Sequence, residues 1–226
     1  MEFLFDSANL DAIKKYSAIF PISGITSNPS ILKAEGKIDV FPHMRKIRQI
    51  IGEAKTLHMQ VIAETCDEIL ADAHAILQHV DQKVYIKVPT TEEGLKAMRI
   101  LKTEGVGVTA TAIYSKLQGF MAIAAGVDFI APYYNRMENM DIDSCATISA
   151  FRQMIDENKA STKILAASFK NTAQVTSALQ AGAHTVTVQP ALLHEAFGMA
   201  AIKKAVDDFH TDWKNTQGDI PLSELE

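Results

Sequence analysis

Eight short apolar segments, each followed by a longer stretch of helical pattern, dominate the sequence. The segments predict β-strands at residues 3–6, 24–28, 59–64, 84–89, 107–112, 128–133, 163–168 and 185–189. Strands that alternate with helices form parallel βαβ units with right-handed crossovers. Eight such units close a (β/α)8 barrel, and a chain of 226 residues fits the lower range of that fold.

An open, doubly wound α/β sheet would show the same alternation of strands and helices. However, no G-x-G-x-x-G follows the first predicted strand and no G-x-x-x-x-G-K-[ST] occurs, so the barrel is favoured. No linker or break in composition divides the chain, which predicts one domain over residues 1–226. An extra C-terminal helix is predicted at 199–214, because its apolar side chains share one face. That helix would cover one end of the barrel or dock on a neighbouring subunit.

The composition argues against several classes of partner. The formal net charge is -5 and no basic block occurs, so nucleic acid is not an expected partner. The N-terminus lacks the features of a secretory signal, and no apolar run is long enough to span a bilayer. Cys66 and Cys145 lie far apart in the sequence and predict no disulfide framework. A cytoplasmic location is therefore expected.

The predicted strand V-Y-I-K-V-P contains a lysine, Lys87, among apolar residues. Alternation along the strand places Tyr85 and Lys87 on one face, opposite three apolar side chains, Val84, Ile86 and Val88. The apolar face must contact the helices, so Lys87 is predicted to point into the barrel near its catalytic end. Burial there would lower the pKa of the amine and favour a Schiff base with a carbonyl substrate. A buried ion pair with Asp or Glu is the alternative.

Polar residues also occur at the carboxyl ends of the other predicted strands, where barrel enzymes place their active sites. They are Asp6, Ser27, Asn28, Gln60, Glu64, Thr109, Thr111, Tyr133, Asn135, Arg136, Ser168 and Lys170. Several have structural alternatives, since Asp6 could cap a helix, Tyr133 could pack in the barrel and Arg136 could lie on the surface. The seven histidines show neither H-x-x-x-H nor H-E-x-x-H spacing, so no metal site is expected.

These residues resemble the transaldolase family, and most closely its small fructose-6-phosphate aldolase-like branch. The resemblance extends over nearly the whole chain. It is carried by the motifs F-D-S-A-N, G-I-T-S-N-P-S, Y-I-K-V-P-T-T-E-E-G, A-T-A-I-Y, A-P-Y-Y-N-R and A-A-S-F-K, in this order. It implies a (β/α)8 barrel, a Schiff base on Lys87 and no metal or organic cofactor.

The resemblance also implies roles for the other polar residues. The catalytic set is Lys87, Asp6, Gln60, Thr111 and Tyr133, in which Asp6 is an acid/base and the last three hold and activate a water molecule. The substrate-binding set is Asn28, Ser27, Arg136, Ser168 and Lys170. Within it, Asn28 orients substrate hydroxyls, Arg136 and Ser168 bind phosphate, and Lys170 is a weaker addition. Small members of the family assemble as decamers of two pentameric rings, so a homo-oligomer is expected.

Three positions distinguish the two branches of the family. Transaldolases place Glu at the position of Gln60, Phe at that of Tyr133, and commonly Ser at that of Ala131. The chain has the aldolase-like residue at all three, which favours cleavage of fructose 6-phosphate to dihydroxyacetone and glyceraldehyde 3-phosphate. The alternative is a transaldolase that moves the dihydroxyacetone unit to erythrose 4-phosphate. A catalytically silent barrel that binds sugar phosphates is a third hypothesis. Glu64, with the same predicted inward parity as Gln60, has no assigned role.

Overall fold

Eight parallel strands close into a barrel in the computed structural model, which describes residues 1–225. Each strand pairs with the next along the chain, and the last pairs with the first. The strands are β1 (Glu2–Asp6), β2 (Gly24–Thr26), β3 (Thr56–Gln60), β4 (Tyr85–Pro89), β5 (Val108–Ile113), β6 (Phe129–Pro132), β7 (Lys163–Ala166) and β8 (Thr185–Val188). The predicted (β/α)8 barrel is therefore confirmed, and closure excludes the open sheet.

Helices follow the strands along the first part of the chain. They are α1 (Leu10–Ser17), α2 (Pro29–Ala34), α3 (Val40–Ile51), α4 (Cys66–His79), α5 (Glu92–Thr103), α6 (Lys116–Ala124), α7 (Tyr134–Glu138), α8 (Ser144–Glu157) and α9 (Thr172–Gln180). Side chains cap several of them at the N-terminus, as Asn9 does for α1 and Ser115 for α6. Each cap accepts a hydrogen bond from a backbone N–H that has no partner inside its helix.

The chain divides into two compact units, Met1–Pro190 and Ala191–Glu226. The first contains the barrel. Helix α10 (Pro190–Phe197) begins at the last residue of the first unit, and α11 (Ala200–Gln217) belongs to the second. Helix α11 confirms the C-terminal helix predicted at 199–214. Trp213 of α11 donates a hydrogen bond of 2.9 Å from Nε1 to the carbonyl oxygen of Ile220. No helix in the described part of the chain has the length and apolar character needed to cross a membrane.

The predicted position of β3 was wrong, because the strand runs over Thr56–Gln60 rather than 59–64, three residues earlier at its start and four at its end. The backbone N–H groups of Ile62 and Ala63 both donate to Asp72 Oδ2 of α4, at 2.9 and 3.0 Å. The chain therefore leaves the sheet after Gln60. Glu64 lies in the following loop and is exposed, so the inward position predicted for it was also wrong.

The interior of the barrel beneath Lys87 is filled by aromatic and apolar side chains, including Leu4, Phe129 and Leu165. His58, which is fully buried, stacks on Tyr85 with ring centroids 4.8 Å apart. Its Nδ1 and Nε2 lie 2.8 and 3.0 Å from the hydroxyl oxygens of Thr109 and Thr56. Burial lowers the pKa of His58 well below its ordinary value of 6.5, and the nearby charge of Lys87 is the second cause. The packed interior thus contains a neutral imidazole below the lysine.

Candidate active site

Lys87 lies on the interior face of β4, as the alternation of the strand predicts. Its side chain is buried, with 3% of the residue exposed, and Nζ donates a hydrogen bond of 3.2 Å to the carbonyl oxygen of Ser27. Within residues 1–225, Lys87 forms no direct salt bridge with a carboxylate, which argues against a simple buried ion pair. Burial lowers the pKa of Lys87, and the charge of Asp6 only opposes that change. The lysine is therefore suited to act as a neutral amine.

Asp6 at the end of β1 belongs to the same electrostatic environment. Burial raises the pKa of Asp6, while the charge of Lys87 and a hydrogen bond from Thr26 lower it. That bond runs from Thr26 Oγ1 to Asp6 Oδ1 over 2.6 Å, and Thr26 Oγ1 also lies 2.7 Å from Thr187 Oγ1. Asp6 is thus held by a threonine network rather than by a helix N–H. The two pKa shifts favour a neutral amine beside a carboxyl group that can accept and return a proton.

Thr111 and Tyr133 form a second polar pair above Lys87. Thr111 is fully buried, and its Oγ1 donates a hydrogen bond of 3.1 Å to the hydroxyl oxygen of Tyr133. Burial raises the pKa of Tyr133, an effect that the bond from Thr111 opposes. The phenol therefore stays protonated near neutral pH and remains able to donate a proton. The hydroxyl of Tyr133 is thus hydrogen-bonded inside the barrel, as the packing alternative also requires.

Gln60 ends β3 opposite Lys87 on the neighbouring strand. Its Oε1 atom is buried and accepts no hydrogen bond from the described residues. Buried carbonyl oxygens normally have a partner, so an acceptor left open beside a reactive lysine is suited to a ligand or to the water of the reaction. In the observed strand Gln60 is the last residue, at the carboxyl end of β3 where barrel active sites lie.

The two residues predicted after β2 contact the site in different ways. Ser27 meets Lys87 through its backbone carbonyl oxygen, whereas its hydroxyl donates to Met44 Sδ over 3.9 Å on the side of α3. Asn28 caps α2, because its Oδ1 accepts a hydrogen bond of 3.1 Å from the backbone N–H of Ile31. The amide nitrogen of Asn28 is a further hydrogen-bond donor that this cap does not use.

A bulge in β5 brings an unpredicted residue, Tyr114, into the site. Ala110 pairs with Ile130 but Ile113 pairs with Pro132, so β5 contains one residue more than β6. The extra residue is Ala112, whose φ of +55° is unusual for a residue with a side chain. A bulge reverses the alternation beyond it. Tyr114 therefore faces Tyr133, with ring centroids 5.5 Å apart at an interplanar angle of 74°.

Arg136 in α7 contacts both of these tyrosines. Its Nη1 donates a hydrogen bond of 3.1 Å to the hydroxyl oxygen of Tyr114, and its Cζ lies 5.1 Å from the centroid of the Tyr133 ring. Arg136 is exposed and forms no salt bridge with another described residue. Arg136 is thus exposed, as the surface alternative predicts, and at the same time it lies against the ring of Tyr133.

Ser168 and Lys170 follow β7, the neighbour of β6 in the barrel. Ser168 has a φ of +66°, and its carbonyl oxygen accepts a hydrogen bond of 3.0 Å from the N–H of Asn135, next to Arg136. The N–H of Lys170 donates to Gln174 Oε1 over 2.7 Å. The two loops are thereby joined through backbone groups. No side-chain hydrogen bond joins Arg136 to Ser168 or Lys170 in the described residues.

No group of three or more His, Cys, Asp and Glu side chains among residues 1–225 could hold a metal ion. The groups assembled at the carboxyl ends of the strands are instead an amine, a carboxyl, two hydroxyls and an amide. They can form a Schiff base and transfer protons to and from it.

A model of the family described as Transaldolase/Fructose-6-phosphate aldolase matches residues 3–220. The chain belongs to this family. It is 51% identical over 213 residues to a protein of Streptococcus pneumoniae (strain ATCC 700669 / Spain 23F-1) named "Probable fructose-6-phosphate aldolase", covering 94% of this chain and 96% of that protein. This relationship agrees with the resemblance found in the sequence motifs.

A solved structure described as a cube-shaped, highly porous protein cage designed by fusing symmetric oligomeric domains is also similar. The TM-score is 0.59 at 12% identity, and the match covers 95% of this chain and 79% of that chain. At this level of identity the match supports the fold alone.

Proposed function

We propose that the protein is a class I aldolase that cleaves and forms fructose 6-phosphate from dihydroxyacetone and glyceraldehyde 3-phosphate. The observation that carries the proposal is the buried Lys87, whose pKa is lowered by burial and which has Asp6 and Gln60 beside it. Membership of the family and the name of the relative from S. pneumoniae agree with it.

In the proposed mechanism, Lys87 Nζ attacks the ketone carbon of fructose 6-phosphate. The carbonyl oxygen leaves as water after protonation, with the proton delivered through a water molecule that Tyr133, Thr111 and Gln60 hold. The resulting iminium is an electron sink. A base, either Asp6 or water bound to Tyr133, then removes the proton from the hydroxyl on C4. The C3–C4 bond breaks, glyceraldehyde 3-phosphate departs as an aldehyde, and the electron pair moves towards the nitrogen to form an enamine.

Release completes the cycle. The enamine accepts a proton at carbon and becomes an iminium again. Water then adds to this iminium, and its hydrolysis gives dihydroxyacetone and the free amine of Lys87. The protonated phenol of Tyr133, fixed by the hydrogen bond from Thr111, is suited to deliver the proton that favours release. Gln60 adds no charge next to the amine, whereas a carboxylate there would favour the protonated lysine.

Substrate binding is proposed to divide between the barrel mouth and its late loops. Asn28 orients hydroxyls through its amide nitrogen, while Arg136 and Ser168, with a smaller contribution from Lys170, bind the phosphate. Barrel enzymes commonly bind phosphate at the loops after the last strands, and an arginine fork suits the geometry of phosphate. The substrate class is therefore a small sugar phosphate, and the chemistry requires no metal or organic cofactor.

A transaldolase would form the same enamine but transfer it to erythrose 4-phosphate, as in the pentose phosphate pathway. The two activities are separated by incubating the protein with fructose 6-phosphate in the presence and absence of that acceptor. We expect free dihydroxyacetone and glyceraldehyde 3-phosphate without the acceptor. Turnover that depends strictly on erythrose 4-phosphate would contradict the aldolase and support the transaldolase.

The chain is further proposed to be a cytoplasmic homo-oligomer built from single-domain subunits. Cys66 and Cys145 are not joined in a disulfide, which agrees with a reducing compartment. In α11, the apolar side chains of Ile202, Val206 and Phe209 are exposed on the isolated chain, which supports packing against a neighbouring subunit. Sedimentation velocity measures the oligomer. A monomer at micromolar concentration would contradict this proposal, and the decamer of two pentameric rings is its specific form.

A further inference from the structure

Tyr114 is absent from the predicted set of site residues, yet the structure fixes it firmly at the mouth of the barrel. The backbone N–H groups of Tyr114 and Ser115 both donate to Gln118 Oε1, at 3.0 and 3.2 Å. Gln118 Nε2 in turn donates to the carbonyl oxygen of Thr90 over 3.1 Å, which ties this loop to the end of β4. The bulge at Ala112 and this clamp together leave little freedom in where Tyr114 points.

The Tyr114 hydroxyl is the polar group that holds Arg136. It accepts a hydrogen bond of 3.1 Å from Nη1, and the guanidinium lies over the ring of Tyr133. An arginine has five N–H donors, so most of them remain available to an anion. Since no described carboxylate neutralises Arg136, its positive charge is also available. Without the hydroxyl, an exposed arginine would regain rotamer freedom that must be lost again on binding.

We propose that Tyr114 is a positioning residue that presents Arg136 to the phosphate group of the substrate and so favours phosphorylated over unphosphorylated substrates. This inference rests on the proposed function, because it assigns Arg136 to the phosphate end of the same site. Tyr114 would thus change the affinity for phosphate by orienting Arg136, without taking part in the Schiff-base chemistry.

The test uses the full-length variants Tyr114→Phe, Arg136→Met and the double variant, with Tyr16→Phe in α1 as a matched control. Tyr16 stacks on Phe20, outside the candidate site. Isothermal titration with inorganic phosphate measures the anion site without turnover. We expect Tyr114→Phe to raise the Kd for phosphate by about three- to tenfold, the cost of ordering one free side chain. The control should leave the Kd unchanged.

The double variant tests whether Tyr114 acts through Arg136. In the Arg136→Met background, the further change Tyr114→Phe should have almost no effect on phosphate affinity. An effect of full size in that background would overturn the inference. So would a Tyr114→Phe variant that binds phosphate as tightly as the unchanged protein, or an unchanged protein that binds no phosphate. Thermal melting of each variant verifies that the protein is folded.

Steady-state kinetics supply the second readout. In the synthesis direction with dihydroxyacetone, Tyr114→Phe should raise the KM for glyceraldehyde 3-phosphate by about three- to tenfold, with a much smaller change for unphosphorylated glyceraldehyde. A merely structural role would weaken both reactions equally, and that result would contradict the inference. A complete lack of aldol turnover in the unchanged protein would instead contradict the proposed function, while the phosphate titration would still test Tyr114.

Discussion

Lys87 and Asp6 face one buried environment in which their pKa values move in opposite directions. Burial lowers the pKa of the amine and raises that of the carboxyl group, and the attraction between their charged forms opposes both changes. In water the same pair would be an ammonium and a carboxylate. The barrel therefore shifts both groups towards the forms that Schiff-base chemistry requires, a nucleophilic amine and a carboxyl group that can take up and return a proton.

The substitution Gln60→Glu tests how far the lysine depends on its uncharged neighbour. A carboxylate next to Lys87 favours the ammonium form, so the pKa of Lys87 should rise. The acid limb of the pH profile of kcat/KM should then move to higher pH, because the neutral amine is the nucleophile. Measuring this profile for both proteins gives the direction of the change. A limb at the same or a lower pH would contradict the electrostatic account.

Tyr133→Phe removes the phenol that we assign to proton delivery. The rate of cleavage should fall by about a hundredfold or more, as is usual when a general acid or base is lost. Thr111→Val keeps the phenol but removes its hydrogen-bond donor, and should cost about three- to tenfold. Initial rates with fructose 6-phosphate measure both. Equal losses in the two variants would indicate that the two hydroxyls act as one unit, and a larger loss in Thr111→Val would contradict the assignment of proton delivery to Tyr133.

Ala112→Gly tests the strained bulge that turns Tyr114 towards Tyr133. A left-handed backbone costs a residue with a side chain roughly 1–2 kcal/mol, whereas glycine adopts it freely but loses more chain entropy on folding. The free energy of unfolding should therefore rise by about 0.5–1 kcal/mol. The matched control Ala110→Gly, in the regular part of the same strand, should destabilise the protein. Chemical denaturation measures both, and destabilisation of similar size in each would argue against strain at Ala112.

His58→Phe tests the buried imidazole below the lysine. The pKa of His58 lies below its value of 6.5 in the unfolded chain, so the unfolded state binds the proton more readily. The contribution of His58 to stability is thus lost as the pH falls below 6.5 towards the folded pKa. The variant should be less stable at neutral pH, since Thr56 and Thr109 lose their partner, but its stability should depend less on pH in this window. An unchanged slope in denaturation experiments from pH 7 to 5 would contradict a neutral buried His58.

The sequence was sufficient to predict the barrel and the lysine because both depend on alternation. The regular exchange of apolar strands and amphipathic helices repeats along the chain, and the parity of V-Y-I-K-V-P leaves only one face for Lys87. Asp6, Thr111 and Tyr133 were predicted for the same reason, since the carboxyl ends of the strands converge. The roles expected of them came from the resemblance to the family.

The misplaced features depend on contacts between distant residues. The boundaries of β3 could not be predicted from T-L-H-M-Q-V-I-A-E. The backbone after the strand is held by hydrogen bonds to Asp72, a distant residue in α4. Tyr114 was missed because the bulge at Ala112 reverses the parity, and no glycine marks that position. The buried position of His58 was missed for a related reason, since the predicted strand began at residue 59 and left His58 outside it.

The most direct test of the account is reduction with borohydride in the presence of dihydroxyacetone, followed by peptide mass spectrometry. We predict a reduced three-carbon adduct on Lys87 in the unchanged protein and no adduct in Lys87→Met. An adduct on another lysine, or none on a folded protein, would contradict the proposal that Lys87 is the Schiff-base residue.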